Sequence, residues 1–370
     1  RQSVAQGWLP AAGISDLYAG VIVGIVAIPL AMALAIASGA PPQNGLYTAI
    51  VAGVLTALLG GSFHQVSGPT AAFVVLLIPV VTKFGLSGLF FTCFLSGVIL
   101  VLLGLFRLGS IIRLVPHPVT TGFTSGIALV IAIMQVKDFF GLKILQPPEN
   151  FIDRLQTIWF AMPTVSLGDL TLGVFTLGVL VLCSRILKKI PAPIVAIFLA
   201  TLMSFVLTTV FPHLNFETIS TRFPGGIPRG LPVWDGSWIF AYNLSDLWGR
   251  LGDFLPSSLS IAALAAIESI ISTSVASGMT RLPFNPNAEL MAIGVANMVG
   301  PFWGGIPATG AIARTSTNIR FGAKTPLSAV IHGLFVLAIL LLFAPLSNYL
   351  PMASLAALLL FVAYNMSEKK

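Results

Sequence analysis

The sequence predicts an all-α polytopic membrane protein in which two half-helices face each other between inverted halves of the chain. Three observations predict it. Of 370 residues, 56% are hydrophobic and only 8% are charged. The apolar residues gather into runs of the length that crosses a bilayer. Two of these runs stop short, and each opens at a proline preceded by glycine.

A soluble domain carries roughly 25% charged residues. Charge this sparse cannot cover a water-facing surface, and the mean hydropathy of +0.97 agrees. Lipid is the main solvent of the surface. The net charge is +7 and the isoelectric point about 9.7. The bases lie between apolar runs, with no basic stripe interleaved with aromatics. They orient the chain in a membrane and argue against a nucleic-acid partner. Cys93 and Cys183 sit inside apolar segments and read as small hydrophobes. His64, His117, His213 and His332 are scattered, and neither metal-ligand nor disulfide spacing appears, so no metal or cofactor is predicted. Nor is an enzyme, since no nucleophile stands beside a base. Arg1–Pro10 lacks the apolar core of a signal peptide.

A crossing helix needs about 20 apolar residues for a hydrocarbon core of about 30 Å. In order, the predicted segments are 16–38, 45–60, 69–82, 87–106, 120–136, 168–184, 193–211, 254–277, 288–301, 307–320, 325–344 and 350–366, twelve in all. The polar stretch 212–253, rich in Pro and Gly, reads as a linker that divides them seven and five. With the N-terminus inside, the inner loops and tails hold eleven bases: Arg1, Arg107, Arg113, Arg185, Lys188, Lys189, Arg281, Arg320, Lys324, Lys369 and Lys370. Three acids, Asp16, Glu289 and Glu368, share that side, against seven bases and eight acids outside. The excess of inner bases supports this orientation. It leaves Glu268 and Arg314 for the membrane interior.

Residues 69–82 and 307–320 give about 21 Å of helix each, at 1.5 Å per residue. Each begins at a proline, Pro69 or Pro307, and proline is favoured in the first helical turn. Both are predicted to be half-helices that start inside the membrane. Pro29, in the first helix, lies 40 residues before Pro69, and Glu268, in the eighth, lies 39 before Pro307. This match suggests an internal repeat. An odd number of segments per repeat inverts the second copy, as in secondary transporters built on broken helices.

In such a repeat the two helix N-termini point at each other. Each carries free N–H groups and roughly half a positive charge, so the pair forms an anion cradle without a charged side chain. Ser67, Thr70 and Thr309 add hydroxyl donors. Arg314, seven residues into the second half-helix, adds a charge that must face protein, water or an anion. Glu268 is the one acid placed deep in a helix, and a carboxyl that loads and releases a proton there would couple anion uptake to protons. Ser272 lies on the same face, four residues on. Pro29 breaks regular hydrogen bonding in the first helix and opens one side of the cavity.

These residues resemble the SulP sulfate-permease family of anion transporters, solute carrier family 26. The likeness runs through Pro42-Gln43-Asn44-Gly45-Leu46-Tyr47-Thr48-Ala49, Gly60-Gly61-Ser62 and Ser67-Gly68-Pro69-Thr70-Ala71. It continues from Glu268 through Asn287-Ala288-Glu289-Leu290, Gly294-Val295-Ala296-Asn297, Gly304–Gly310 and Ala313-Arg314-Thr315-Ser316. It covers nearly the whole chain, and within the family it resembles a bacterial proton-coupled fumarate carrier.

The resemblance implies a seven-plus-seven inverted-repeat fold with core and gate domains. Residues 1–111 and 254–344 would form the core, 112–253 the first gate segment with the linker, and 345–370 the start of the second gate. It implies a substrate site at Leu30, Thr70, Ala71, Ala308, Thr309, Ala313 and Arg314, with Glu268 coupling the proton. Leu30 and Ala313 stand where many members have Gln and Ser, which removes two polar groups. Members have 14 membrane segments and usually a cytoplasmic STAS domain. The chain stops after twelve, so the expected second repeat is incomplete and the STAS domain absent. The implied function is proton-coupled, elevator-like secondary transport of a small anion (a dicarboxylate such as fumarate, sulfate or bicarbonate). The partners are that anion, the co-transported proton and the lipid bilayer. The setting is the cell inner membrane, with the N-terminus cytoplasmic and a homodimer in the full-length form. A passive anion channel or an uncoupled exchanger is the alternative; Glu268 argues for coupling, since a channel does not need a buried acid. A nucleobase carrier of the same fold would present acidic or amide groups, which Arg314 and bare N–H groups do not match.

Overall fold

The computed structural model describes residues 13–112, 117–144, 148, 151–187, 190–211, 216–240 and 244–366. Arg1, Arg113, Lys188, Lys189, Glu368, Lys369 and Lys370, which enter the charge count, lie outside the described residues, as do Arg1–Pro10 and His213.

The chain opens with α1 (Ile14–Ala37) and α2 (Pro42–Leu59), then the two-residue strand β1 (Ser67–Gly68) and α3 (Ala71–Leu105). There follow α4 (Gly109–Ile112), α5 (His117–Phe140), α6 (Phe151–Ala161), α7 (Leu167–Ile186), α8 (Ala192–Val210) and the one-turn helices α9 (Ile219–Arg222) and α10 (Ser237–Phe240). The rest is α11 (Leu244–Thr280), α12 (Pro286–Val299), strand β2 (Thr309–Gly310), α13 (Ile312–Arg320), α14 (Leu327–Ser347) and α15 (Met352–Met366). Among the described residues, α1, α3, α7, α8, α11 and α14 are long and apolar enough to cross a membrane.

Each predicted segment meets a helix, with four differences. Segments 69–82 and 87–106 are the two halves of α3, divided at Gly85 (φ 67°, ψ −168°), a conformation that glycine reaches at little steric cost. α11 begins at Leu244 rather than 254, so the linker ends in helix. The half-helices start at Ala71 and Ile312, not at Pro69 and Pro307: Thr70, just after β1, is still extended, and β2 lies between Pro307 and Ile312. The unpredicted α6 is 11 residues long, too short for a span. It exposes Ile152, Leu155 and Trp159 and packs Ile158 and Ala161 against Leu142.

The chain divides into two compact units, Arg1–His117 with Gly230–Leu341 and Pro118–Arg229 with Leu342–Lys370. In the first, α12 lies along α3 at a crossing of Gly97 and Gly294. A Cβ built on Gly97 would come within 2.6 Å of the Gly294 carbonyl oxygen, and one on Gly294 within 2.7 Å of the Gly97 carbonyl oxygen. Small residues allow this approach where lipid gives helices no hydrophobic reason to associate. α11 is held on α3 by Phe254, whose ring lies 4.5 Å from that of Phe84 and 5.0 Å from that of Phe91. Asn285 caps α12 by accepting from the Asn287 and Ala288 amides.

In the second unit α7 packs on both α8 and α15, and Thr176 donates to Ser354 at 2.9 Å. The Arg222 guanidinium binds Asp138 at 2.7 Å and also Glu217. Burial works against its charge, yet the Asp138 and Glu217 carboxylates outweigh that and hold its pKa above the ordinary arginine value.

Candidate functional site

β1 and β2 pair antiparallel, Ser67 with Gly310 and Gly68 with Thr309. The two predicted half-helix starts therefore meet side by side. A buried, unwound backbone must find hydrogen-bond partners, and side chains from neighbouring helices supply them. Asn297 of α12 grips Ala308 twice: its Oδ1 accepts from the Ala308 amide at 2.7 Å and its Nδ2 donates to the Ala308 carbonyl at 3.0 Å. The Thr48 hydroxyl accepts from the Ile306 amide at 2.8 Å, and Asn44 Nδ2 donates to the Gly304 carbonyl at 2.7 Å. On the other strand, Thr315 Oγ1 accepts from the Val66 amide at 3.1 Å, and the Ala311 amide donates to the Val66 carbonyl at 3.0 Å. Thr70 and Ala311 sit at the N-caps of α3 and α13, and neither end receives a side-chain cap. The Phe73 amide donates back to the Thr70 carbonyl at 3.3 Å, and neither end is closed by a side chain.

Of the side chains singled out in the sequence, Arg314, Glu268, Thr70 and Thr309 meet at this crossing. Arg314 is 3% exposed and donates through Nη2 to the Pro69 carbonyl, while its Nε and Nη1 have no hydrogen-bond partner. The guanidinium fills the place where a Cβ on Gly68 would stand, which explains glycine there. Glu268, half-buried on α11, accepts from the Thr70 hydroxyl at 2.8 Å. Among the described residues the ion pairs are Lys83–Asp253, Arg222–Asp138 and Arg222–Glu217, so Arg314 and Glu268 stay unpaired with each other. Thr309 is fully buried and spends its hydroxyl on the Ala265 carbonyl at 2.8 Å. Ala71 and Ala308 are buried, Leu30 is half-buried next to Pro29, and Ala313 is exposed. Ser272 donates to Thr315 at 3.2 Å rather than to Glu268.

Two acids assigned to inner loops are fully buried in the structure. Asp16 accepts from the Lys324 and Thr325 amides and the Thr325 hydroxyl, at 2.6, 3.2 and 2.7 Å. Glu289 accepts from the Gly61 amide at 2.9 Å and from Gln65 Nε2 at 2.8 Å. Both sit in the first turn of a helix, where an acid is favoured by the dipole alone, so the sequence signal reads as an exposed cap. Asn44, Thr48, Gln65 and Asn297 were not singled out as site-formers either, and their partners lie far away in the chain, except for Asn297.

A family model described as the sulfate permease family matches residues 14–370. The "Putative sulfate transporter YvdB" of Bacillus subtilis is 43% identical over 355 residues, 96% of this chain and 65% of that one. The "Bicarbonate transporter BicA" of Picosynechococcus sp. is 29% identical over 353 residues, 93% of this chain and 60% of that one. The chain thus spans 60–65% of the length of these two relatives. The solved transmembrane domain of a cyanobacterial bicarbonate transporter BicA superposes with a TM-score of 0.85 at 29% identity, over 95% of this chain and 88% of that one. The structure of SLC26A9 superposes with a TM-score of 0.84 at 20% identity, over 98% of this chain and 60% of that one, a likeness of fold. The chain is a multi-pass membrane protein and belongs to the sulfate permease family.

Proposed function

We propose that the protein is a secondary active carrier of a small anion, with protons as the coupling ion. The observation that carries this is the Arg314 guanidinium, buried at the strand crossing with two of its nitrogens unpartnered. A buried cation in a membrane protein is costly unless something negative answers it. In this reading the anion lies between the N-termini of α3 and α13, where first-turn amides, Arg314 and Thr70 converge, with Ala71, Ala308, Leu30 and Ala313 as its apolar walls and Thr309 holding the second strand to α11.

Glu268 gives a reason for coupling. While its carboxylate is charged, it takes the Thr70 hydroxyl and balances the charge of Arg314. When it binds a proton, the site gains one positive charge and the hydroxyl is free to donate to an incoming anion. Proton and anion then load together. We assign the first unit as the core that carries the anion and the second as the gate, with elevator-like exposure to either side. The N-terminus is placed in the cytoplasm, at the inner membrane, and the full-length protein is taken to pair as a homodimer. Sulfate and bicarbonate, named for the relatives, and the dicarboxylate fumarate are the candidate substrates.

The test is uptake of radiolabelled sulfate, bicarbonate and fumarate by the full-length protein in liposomes, with and without an inward proton gradient. Saturable uptake of at least one, raised by the gradient, is expected. Non-saturating flux that ignores the gradient would point to a channel instead, and no uptake of any of the three would refute the substrate class.

A further inference from the structure

Glu289 is a fully buried carboxyl, and the transport cycle proposed above makes no use of it. Its surroundings tie it to the strand crossing. One of its oxygens accepts from the Gly61 amide at 2.9 Å, the other from Gln65 Nε2 at 2.8 Å. The same Gln65 nitrogen donates to Ser269 Oγ at 2.6 Å, and Ser269 is the residue after Glu268. Gln65 also lies directly beneath β2, since a Cβ on Gly310 would collide with its amide group. Gly310 is the strand partner of Ser67, two residues along from Gln65. One amide group thus touches α11, α12 and β2, and the chain that carries it becomes β1.

We infer that Glu289, acting through Gln65, is a positioning residue that holds β1 in register with β2 and so sets the affinity of the seat between them. A buried carboxylate left without donors costs much free energy. Glu289 therefore fixes whatever donates to it, and Gln65 is held at both its neighbours. The affinity half of the inference rests on the anion-carrier reading, and the register half does not.

The experiment exchanges donor and acceptor. Gln65→Glu sets two carboxylates face to face, Glu289→Gln removes the charge, and the double variant restores one acceptor against one donor with the places reversed. Each full-length variant is reconstituted and its uptake of radiolabelled sulfate, bicarbonate and fumarate is measured. Amide hydrogen exchange over residues 61–71 and 306–313 is followed on the same samples. The expected result is a KM raised roughly tenfold in Gln65→Glu, the scale of one lost buried hydrogen bond, with kcat changed less. Exchange should quicken in both segments. Glu289→Gln should fall between, because Gln65 is able to turn over, and the double variant should return to within about threefold of wild type. Additive losses in the double variant overturn the inference. So does an unchanged KM accompanied only by a lower melting temperature, which would make the pair a mere fold determinant. If exchange follows the expected pattern while wild type carries none of the three anions, the register role is upheld and the carrier reading fails.

Discussion

The two segments that meet at the strand crossing begin alike and then diverge. After β1, the first half of α3 runs from Ala71 to the break at Gly85 as an almost wholly apolar helix. After β2, α13 has nine residues and carries Arg314, Thr315, Ser316, Thr317, Asn318 and Arg320. Both offer N-termini without side-chain caps and small residues, so the shape of the proposed seat would be made twice from backbone. The fixed charge comes only from the second segment, and the hydroxyl that faces Glu268 only from the first. Shape and charge can therefore be altered separately, one segment at a time.

Charge should give the largest effect. Arg314→Ala is expected to raise KM for the transported anion by roughly a hundredfold, the scale of a buried charged partner lost. Uptake by the variant across a concentration series measures it, and a KM within a factor of two of wild type would remove Arg314 from the seat. Shape should come next. Gly68→Ala drives a methyl into the guanidinium, whereas Gly310→Ala drives one into the Gln65 amide on the opposite strand. The first should lower uptake more than the second, by about tenfold, because a displaced Arg314 loses its aim as well as its room. Equal losses would mean that the crossing matters only as packing.

Glu268→Gln sharpens the comparison on the side of α3, where Thr70 is its partner. The amide cannot load a proton, and its oxygen still accepts from Thr70. Uptake at saturating anion is expected to persist, while its response to an inward proton gradient disappears. The comparison is made between matched liposomes with and without the gradient. A gradient response of wild-type size in Glu268→Gln would place the coupling group elsewhere, and Glu289 would be the next carboxyl to test.

What the sequence shows and hides follows from the range of the forces involved. Apolar runs read directly as helices because burial in lipid is a property of each residue, so most of the long helices were visible within a few residues, the start of α11 excepted. Gly68-Pro69 and Gly304-Gly305 announced interrupted helix for a local reason, glycine and proline chemistry. The second start point was misplaced because Thr309–Gly310 pairs with Ser67–Gly68 across more than 240 residues, and no local rule turns helix into strand there. Asp16 and Glu289 looked like solvated loop acids because their acceptor roles are filled by Thr325 and Lys324 in one case and by Gly61 and Gln65 in the other. α6 escaped because its exposed Ile152, Leu155 and Trp159 form one stripe, which a window average dilutes with Asp153, Arg154 and Gln156.

The smallest effect expected is on stability, and it again separates the two segments. Asn297 serves both the amide and the carbonyl of Ala308, just before β2, while Thr48 serves the Ile306 amide. Asn297→Ala leaves two buried backbone groups without their short bonds and should cost about 1–3 kcal/mol, whereas Thr48→Val removes the short bond to the Ile306 amide and only a longer 3.2 Å one to its carbonyl, and should cost less. Neither touches the first strand, so exchange at 306–313 should quicken in both variants while exchange at 62–70 moves little. Melting of the purified variants, read beside that exchange, tests the ranking. If Thr48→Val proved the worse of the two, or if both segments loosened together, the strands would be one cooperative unit and the separation of shape from charge would lose its structural basis.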